Sequence, residues 1–261
     1  ALDIRYIIMN HELVIGKYTL ESLTNGMYAS PLDLYREYIQ NAVDSIDAAI
    51  AEKLERPEYF EIAINLDPEK NMLSIFDNGR GLCKKQAIST LIDIGNSNKH
   101  RTQNRGFRGI GRLAGLGYCD ELIFVTSFSG EDSKTIIHYD AKLLRELLLV
   151  SNEDNVSVHD VMNQIISIEE SGEKASRHYF EVKMLGVTSN NGLMDEDLVR
   201  DYLIQHSPLP FEKAFKWRSP IQEKVRIAGY TIPTYCICLN GEELFKPYSD
   251  SFVSDRVKKI S

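Results

Sequence analysis

The sequence predicts an α/β protein of the α+β kind: a two-layer sandwich with helices on one face of a mixed, largely antiparallel sheet. Two pairs of strand-like runs and one amphipathic helix carry that expectation. "YFEIAINL" (59–66) and "MLSIFD" (72–77) are separated by the turn-forming "DPEKN", and "ELIFVTSF" (121–128) and "KTIIHYDA" (134–141) flank "SGEDS". Each pair reads as a β-hairpin. In "YREYIQNAVDSIDAAI" (35–50), Tyr35, Ile39, Ala42, Val43, Ile46, Ala49 and Ile50 share one helical stripe, the pattern of a helix laid on a core.

The remaining elements follow in order. Ser30-Pro31 offers a cap residue and a proline at the first helical position, so the helix is expected to start there. "KKQAISTLIDIG" (84–95) suggests a short helix, and "NSNKHRTQNRGFRGIGRLAGLG" (96–117) a polar, basic, glycine-rich loop entering another. "AKLLRELLLV" (141–150) reads as helix, "HYFEVKMLGV" (178–187) as strand and "DEDLVRDYLIQHS" (195–207) as helix, whereas residues 151–176 are polar, fit no element and read as an insertion. The three prolines of "SPLPFEKAFKWRSP" (207–220) mark a boundary, with Trp217 as a packing anchor. The expected organisation is one domain over 1–207, then over 208–261 a boundary segment and the start of a following β-containing domain. In that second part Asn240-Gly241 sits between two strand-like runs, a strong hairpin signal.

Composition narrows the function classes. At 261 residues, 43% hydrophobic and 26% charged, the chain is ordinary for a globular protein. The net charge of −8 argues against broad binding of nucleic acid by this segment. No apolar run approaches a bilayer-spanning length and no secretory signal opens the chain, so no membrane association and a cytoplasmic location are expected. The four cysteines, Cys83, Cys119, Cys236 and Cys238, form no CxxC pair and accompany no histidine cluster. Buried, reduced thiols are therefore expected rather than a zinc site or a disulfide framework.

The chemistry rests on three motifs. The P-loop pattern GxxxxGK[ST] is absent. "GIGRLA" (109–114) matches the dinucleotide fingerprint GxGxxA, but the preceding "HRTQNRGF" cannot be the buried strand that the fingerprint requires. More informative is "DNGRGL" (77–82), which sets the carboxylate of Asp77 where a strand meets a loop, with Gly79 and Gly81 free to turn sharply. "GFRGIG" (106–111) then runs into a helix, whose exposed amides suit a phosphate. Upstream, Glu37, Asn41 and Asp44 cluster in a narrow sector of the first helix, away from its apolar stripe. Each feature alone has a bland reading: a wet helix face, a tight turn, a flexible loop whose Lys99, Arg101, Arg105, Arg108 and Arg112 are simply solvated. Their combination and order shift the reading away from these and toward a phosphate site.

The series "EYIQNAVD", "DNGRG" and "GFRGIG" resembles the three nucleotide-binding boxes of the GHKL ATPases (gyrase B, ninety-kilodalton heat-shock chaperones, histidine kinases and MutL). "LIDIGNSNKH" (91–100) is similar to the stretch before the lid in the chaperone branch, which the chain resembles most. Histidine kinases lack the glutamate four residues before the asparagine; this chain has it, as Glu37. It departs from the chaperone pattern in carrying Arg112 where that branch has an aromatic residue after the last lid glycine.

The resemblance implies the Bergerat ATP-binding fold, with ATP or ADP and Mg²⁺ as ligands. Asn41 would hold the metal, Glu37 would act as general base on the attacking water, and Asp44 would order water or a basic neighbour. Asp77 would accept from the adenine amino group, with Gly79 and Gly81 leaving room for base and ribose. Lid amides of Gly106, Phe107, Arg108, Gly109, Ile110 and Gly111 would wrap the phosphates, beside Ser97 and Lys99. In relatives a cation from a following domain completes the site, and nothing through Ser261 is assigned that role. This chain is therefore expected to bind ATP and to hydrolyse it slowly or not at all. An ATP-gated switch is implied, with homodimerisation on closure and a protein client. The other class is the ATPase module of a MutL-like or MORC-like DNA-processing or defence protein.

Overall fold

The computed structural model describes residues 29–54, 59–92, 111–150, 158–188 and 191–248. Helix α1 (Asp33–Ala51) is followed by strands β1 (Glu61–Asp67) and β2 (Met72–Asp77) and helix α2 (Lys84–Leu91). A 3₁₀ segment (Gly111–Gly117) leads into β3 (Glu121–Ser127), β4 (Ser133–Asp140), α3 (Ala141–Val150), α4 (Val158–Ile165), β5 (Ile166–Gly172) and β6 (Tyr179–Leu185). Then come α5 (Glu196–His206), α6 (Arg218–Ile227), β7 (Cys236–Leu239) and β8 (Glu242–Glu243). The strands form one sheet in the order β5-β4-β3-β6-β2-β1-β7-β8, in which β1–β7 is the parallel pair and the other pairings are antiparallel. The expected mixed, largely antiparallel sheet with helices packed on it is the observed architecture.

Strand register explains the core. Because side chains alternate across a sheet, Ile137, Phe124, Val182, Ile75, Ile64 and Leu239 stand in one row across β4, β3, β6, β2, β1 and β7, and all are buried. Leu34, Tyr35, Tyr38, Ile39, Ala42, Val43 and Ile46 of α1 complete the same core. Each buried aliphatic or phenyl side chain contributes about 1.5–3 kcal/mol. Two residues further along the strands and on the same face runs a second row: Thr135, Thr126, Phe180, Asp77, Ile62 and Ile237. Asp77 thus lies on the helix side of the sheet, at the polar end of an apolar strand.

Several details differ from the sequence reading. Helix α1 begins at Asp33 with Leu32 as an N-cap that makes no side-chain hydrogen bond. Ser30 and Pro31 instead form the preceding turn, whose carbonyls accept from Asp33 N and Leu34 N at 3.0 and 3.1 Å. Ile50, expected on the apolar stripe, is 45% exposed. Residues 158–172, expected within an insertion, form α4 and edge strand β5. Val161, Met162 and Ile165 bury one face of α4, whereas β5 is solvated over its last four residues and lacks the alternation of a half-buried strand. Trp217 is 47% exposed, and the anchor near it is Phe215, packed with Phe211 and Tyr248. Helix α6 buries no residue, so no apolar period announced it; its Pro220 falls in the first turn, where an amide is dispensable.

The Asn240-Gly241 hairpin forms as expected, with both residues at positive φ (49° and 82°) between β7 and β8. It lies in the same sheet as the preceding strands. Asn240 N donates to Ile64 O, and its side chain accepts from Leu66 N and donates to Glu196, each at 2.8 Å. Cys236 and Cys238 share one face of β7, half-buried, with sulfurs 4.0 Å apart. No helix among the described residues is long and apolar enough to cross a membrane.

Candidate functional site

Where β2 ends, the chain must leave the sheet beneath α1, and the sequence "DNGRGL" accomplishes this in very little space. Asn78 pins the exit: its side chain accepts from Glu61 N at 2.8 Å and donates to Tyr59 O at 2.9 Å. Arg80 N donates to Ser45 O of α1 at 3.0 Å, and the ring of His178 hydrogen-bonds with Gly79 O. The turn therefore runs so close to the helix that a Cβ on Gly79 would overlap Ser45 Oγ and stand 2.7 Å from Asp77 Oδ1. Gly81 has φ +65°, and a Cβ there would run into Ser127 O and lie 2.8 Å from Tyr179 O. These two glycines make room for the protein's own chain. Leu82 N is received by Thr126 Oγ1 at 2.8 Å, which closes the loop onto β3.

The carboxylate of Asp77 is 3% exposed. It accepts from Ser45 Oγ at 2.8 Å and from Gly79 N at 3.0 Å, and both bonds end on Oδ1. Oδ2 receives no hydrogen bond among the described residues. Burial raises the pKa from the usual 3.8 to about 7, against the opposing pull of the bonds from Ser45 and Gly79.

A cleft of about 270 Å³ opens over this carboxylate. Asn41, Asp44, Ser45 and Ala48 of α1 form one wall, Asp77, Gly81 and Leu82 the floor, and Thr90, Leu91, Arg112 and Phe180 the far side. Asn41 is exposed and makes no hydrogen bond among the described residues. Asp44 accepts from Gln40 Nε2 at 2.9 Å. Two arginines reach the cleft in different states. Arg80 is paired with Glu52 at 2.8 Å and lies over the Phe128 ring. Arg112 donates to the carbonyl of Thr90 at 3.1 Å and has no carboxylate partner among the described residues.

Of the residues expected at the site, Asn41, Asp44, Asp77 and Gly81 line the cleft together. Glu37 lies one helical turn from Asn41, outside that lining; it is half-buried and makes no hydrogen bond or ion pair among the described residues. Gly79 backs Asp77 against Ser45, and Gly111 is buried at the start of the 3₁₀ segment. Ser97, Lys99, Gly106, Phe107, Arg108, Gly109 and Ile110 lie outside the described residues. Sequence reasoning missed Ser45, Thr90, Leu91 and Phe180. Ser45 had a signal: it follows Asn41 by one helical turn and so shares its face. Arg112, for which simple solvation was the bland reading, is half-buried on the cleft wall.

This set of donors and acceptors suits a purine nucleotide. Among the described residues, a carboxylate oxygen without a donor at the floor matches an exocyclic amine, Leu82, Leu91 and Phe180 supply apolar surface for a base, and Arg112 is a cation without a counter-ion. No group of three or more metal-ligating side chains occurs among the described residues. Mg²⁺ typically takes one or two protein oxygens and completes its shell with phosphates and water, which Asn41 suits.

Comparison with known proteins agrees with this geometry. Residues 34–171 match the family described as "Histidine kinase-, DNA gyrase B-, and HSP90-like ATPase", a span that contains every cleft residue named above except Phe180. The chain is similar to the chaperone protein HtpG of Acinetobacter baylyi, 36% identical over 84 residues covering 30% of this chain and 13% of that one. It is similar to HtpG of Baumannia cicadellinicola, 24% identical over 143 residues covering 48% and 23%. A third relative, HtpG of Yersinia enterocolitica, is 31% identical over 87 residues covering 31% and 14%. The matched stretches span less than a quarter of these relatives' own lengths.

Proposed function

This chain belongs to the histidine kinase-, DNA gyrase B- and HSP90-like ATPase family, and from that premise we propose that its cleft takes Mg-ATP, base first, as the nucleotide-dependent switch of a chaperone-like ATPase. The observation that carries the reading is the state of Asp77. Its Oδ1 is occupied by Ser45 and Gly79, and Oδ2 is without a donor among the described residues. The adenine amino group is such a donor. Guanine presents a carbonyl oxygen at the equivalent position, which a buried carboxylate rejects, since unpaired buried polar groups discriminate strongly between analogues.

In this reading Asn41 would hold Mg²⁺ through its side-chain oxygen, and the metal would supply neutralisation of phosphate charge. Glu37, one turn away and unpaired among the described residues, orients the attacking water and accepts its proton. Asp44 orders water between them. Similarity to HtpG supports the chaperone side of the family over a DNA-processing module, and with it a homodimer and a protein client as partners of the whole protein.

Titration calorimetry with ATP, ADP and GTP in the presence of Mg²⁺ tests this reading. ATP and ADP are expected to bind and GTP to bind at least about a hundredfold more weakly. Equal affinity for GTP would remove Asp77 from base recognition. Absence of binding by any adenine nucleotide would remove the function itself.

A further inference from the structure

We infer that Arg112 is a phosphate-binding residue of this cleft, supplied from within the domain. The inference rests on the adenine-nucleotide reading above and assigns the residue that meets the nucleotide's negative end.

Arg112 is held at both ends. Its backbone carbonyl accepts from Tyr38 Oη of α1 at 2.9 Å, and its side chain donates through Nη1 to Thr90 O of α2 at 3.1 Å. The guanidinium is thereby fixed on the cleft wall, where Arg112 is part of the lining. A guanidinium carries five N–H donors, so the single bond to a carbonyl leaves most of them for a ligand.

Its charge is not balanced among the described residues. Among the described residues no carboxylate lies within ion-pair distance of Arg112, in contrast to Arg80, the other arginine of the cleft, which Glu52 neutralises at 2.8 Å. Among the described residues, the ionisable group whose charge bears on Arg112 is Tyr139, and that phenol donates to Leu91 O and is held protonated, its own pKa raised by burial. Burial pulls the pKa of Arg112 downward, which reports the same cost. A half-buried cation without a counter-ion destabilises the empty domain and is compensated when an anion arrives. Among the described residues, the other charged side chains lining the cleft are Asp44 and Asp77, which repel phosphate, and the already paired Arg80. Of these described groups Arg112 is therefore the cationic end, and its planar fork suits phosphate oxygens two at a time.

The test measures the affinities of adenosine, AMP, ADP and ATP for the wild-type protein and for Arg112→Gln. Glutamine is chosen because it is polar and uncharged. The expected result is adenosine affinity unchanged and ATP affinity lowered about tenfold to a hundredfold. The ligand at which the loss first appears identifies the phosphate contacted. An unchanged ATP affinity overturns the inference, as does an equal loss for adenosine and ATP, which marks a merely structural role. If Arg112→Gln proves unfolded by circular dichroism, Arg112→Lys decides on the same comparison: it keeps the charge but loses the fork, so ATP must weaken relative to adenosine. A wild-type protein that binds neither adenosine nor ATP refutes the nucleotide reading instead, a result separable from a failure of Arg112 alone.

Discussion

Ser45 Oγ donates to Asp77 Oδ1 across the gap between helix α1 and the end of strand β2, at 2.8 Å. With Gly79 N on the same oxygen, one carboxylate is held by a helix and by its own turn while it forms the floor of the cleft. A group arranged in this way is tuned by burial and by its donors together, and both can be altered separately.

Asp77→Asn is predicted to abolish adenine-nucleotide binding while stabilising the empty protein. Burial lifts the pKa of Asp77 to about 7. Between the ordinary value and about 7 the folded chain holds a proton that the unfolded chain releases, so stability falls as pH rises through that window. Asparagine keeps Oδ1 as the acceptor for Ser45 and Gly79 and carries no charge, so it escapes a penalty on the order of a few kcal/mol. Thermal melts should show a gain of roughly 5 °C or more at pH 8 that vanishes by pH 4, and calorimetry should show no ATP binding. Retained ATP affinity would contradict the role given to Asp77; an equal gain at both pH values would contradict its buried charge.

The affinity for adenosine should rise with pH through about 7, since the amino group requires the ionised carboxylate. Adenosine is the probe because it has no ionisable group in this range. Removing the hydroxyl in Ser45→Ala deletes a bond that lowers the pKa of Asp77, so the midpoint should move upward by about one unit. The two proteins should converge near pH 9. A midpoint that does not move would show that Ser45 merely packs.

Much of this was legible in the sequence, for identifiable reasons. Ile62, Ile64 and Leu66 alternate because β1 is covered on one face, and Asn240-Gly241 announces a turn that only positive φ can make. Strand β5 and helix α6 were illegible because edge and surface elements bury too little to impose a period. At the site, Asn41, Asp44, Asp77 and Gly81 emerged from spacing and resemblance, whereas Thr90 joins through its carbonyl, which any residue offers. Arg112 differs from a solvated arginine only in its surroundings, which are set by Tyr38 and α2 from distant parts of the chain.

Gly81→Ala is predicted to destabilise the fold by roughly 2–4 kcal/mol. The cost has two parts. Alanine is strained at φ +65°, and its methyl group has nowhere to go between the carbonyls of Ser127 and Tyr179, which belong to the sheet and cannot yield. Denaturant titration measures the loss. A change below about 0.5 kcal/mol would mean that the loop relaxes away from β3, and the hydrogen bond of Leu82 N to Thr126 would then not be intact.

Glu37→Ala is predicted to separate binding from chemistry. Glu37 lies off the cleft lining and has no hydrogen bond to lose among the described residues, so its removal should leave ATP affinity within about twofold. Nearby, Tyr202 donates to Asp33 at 2.7 Å, and the phenol's pKa is raised by burial first, then by Asp33, with Arg36 opposing and Glu37 adding. Glu37, one turn from Asn41, is the carboxylate to which the proposed reading gives the proton. Removing a general base typically costs about a hundredfold or more in turnover. Steady-state phosphate release should therefore fall at least that far in the full-length protein, with ATP binding by calorimetry preserved. Glu37→Gln keeps the shape and should fail equally, which distinguishes proton acceptance from packing. Turnover surviving in either variant would assign the base elsewhere, and a parallel loss of ATP affinity would make Glu37 a binding residue.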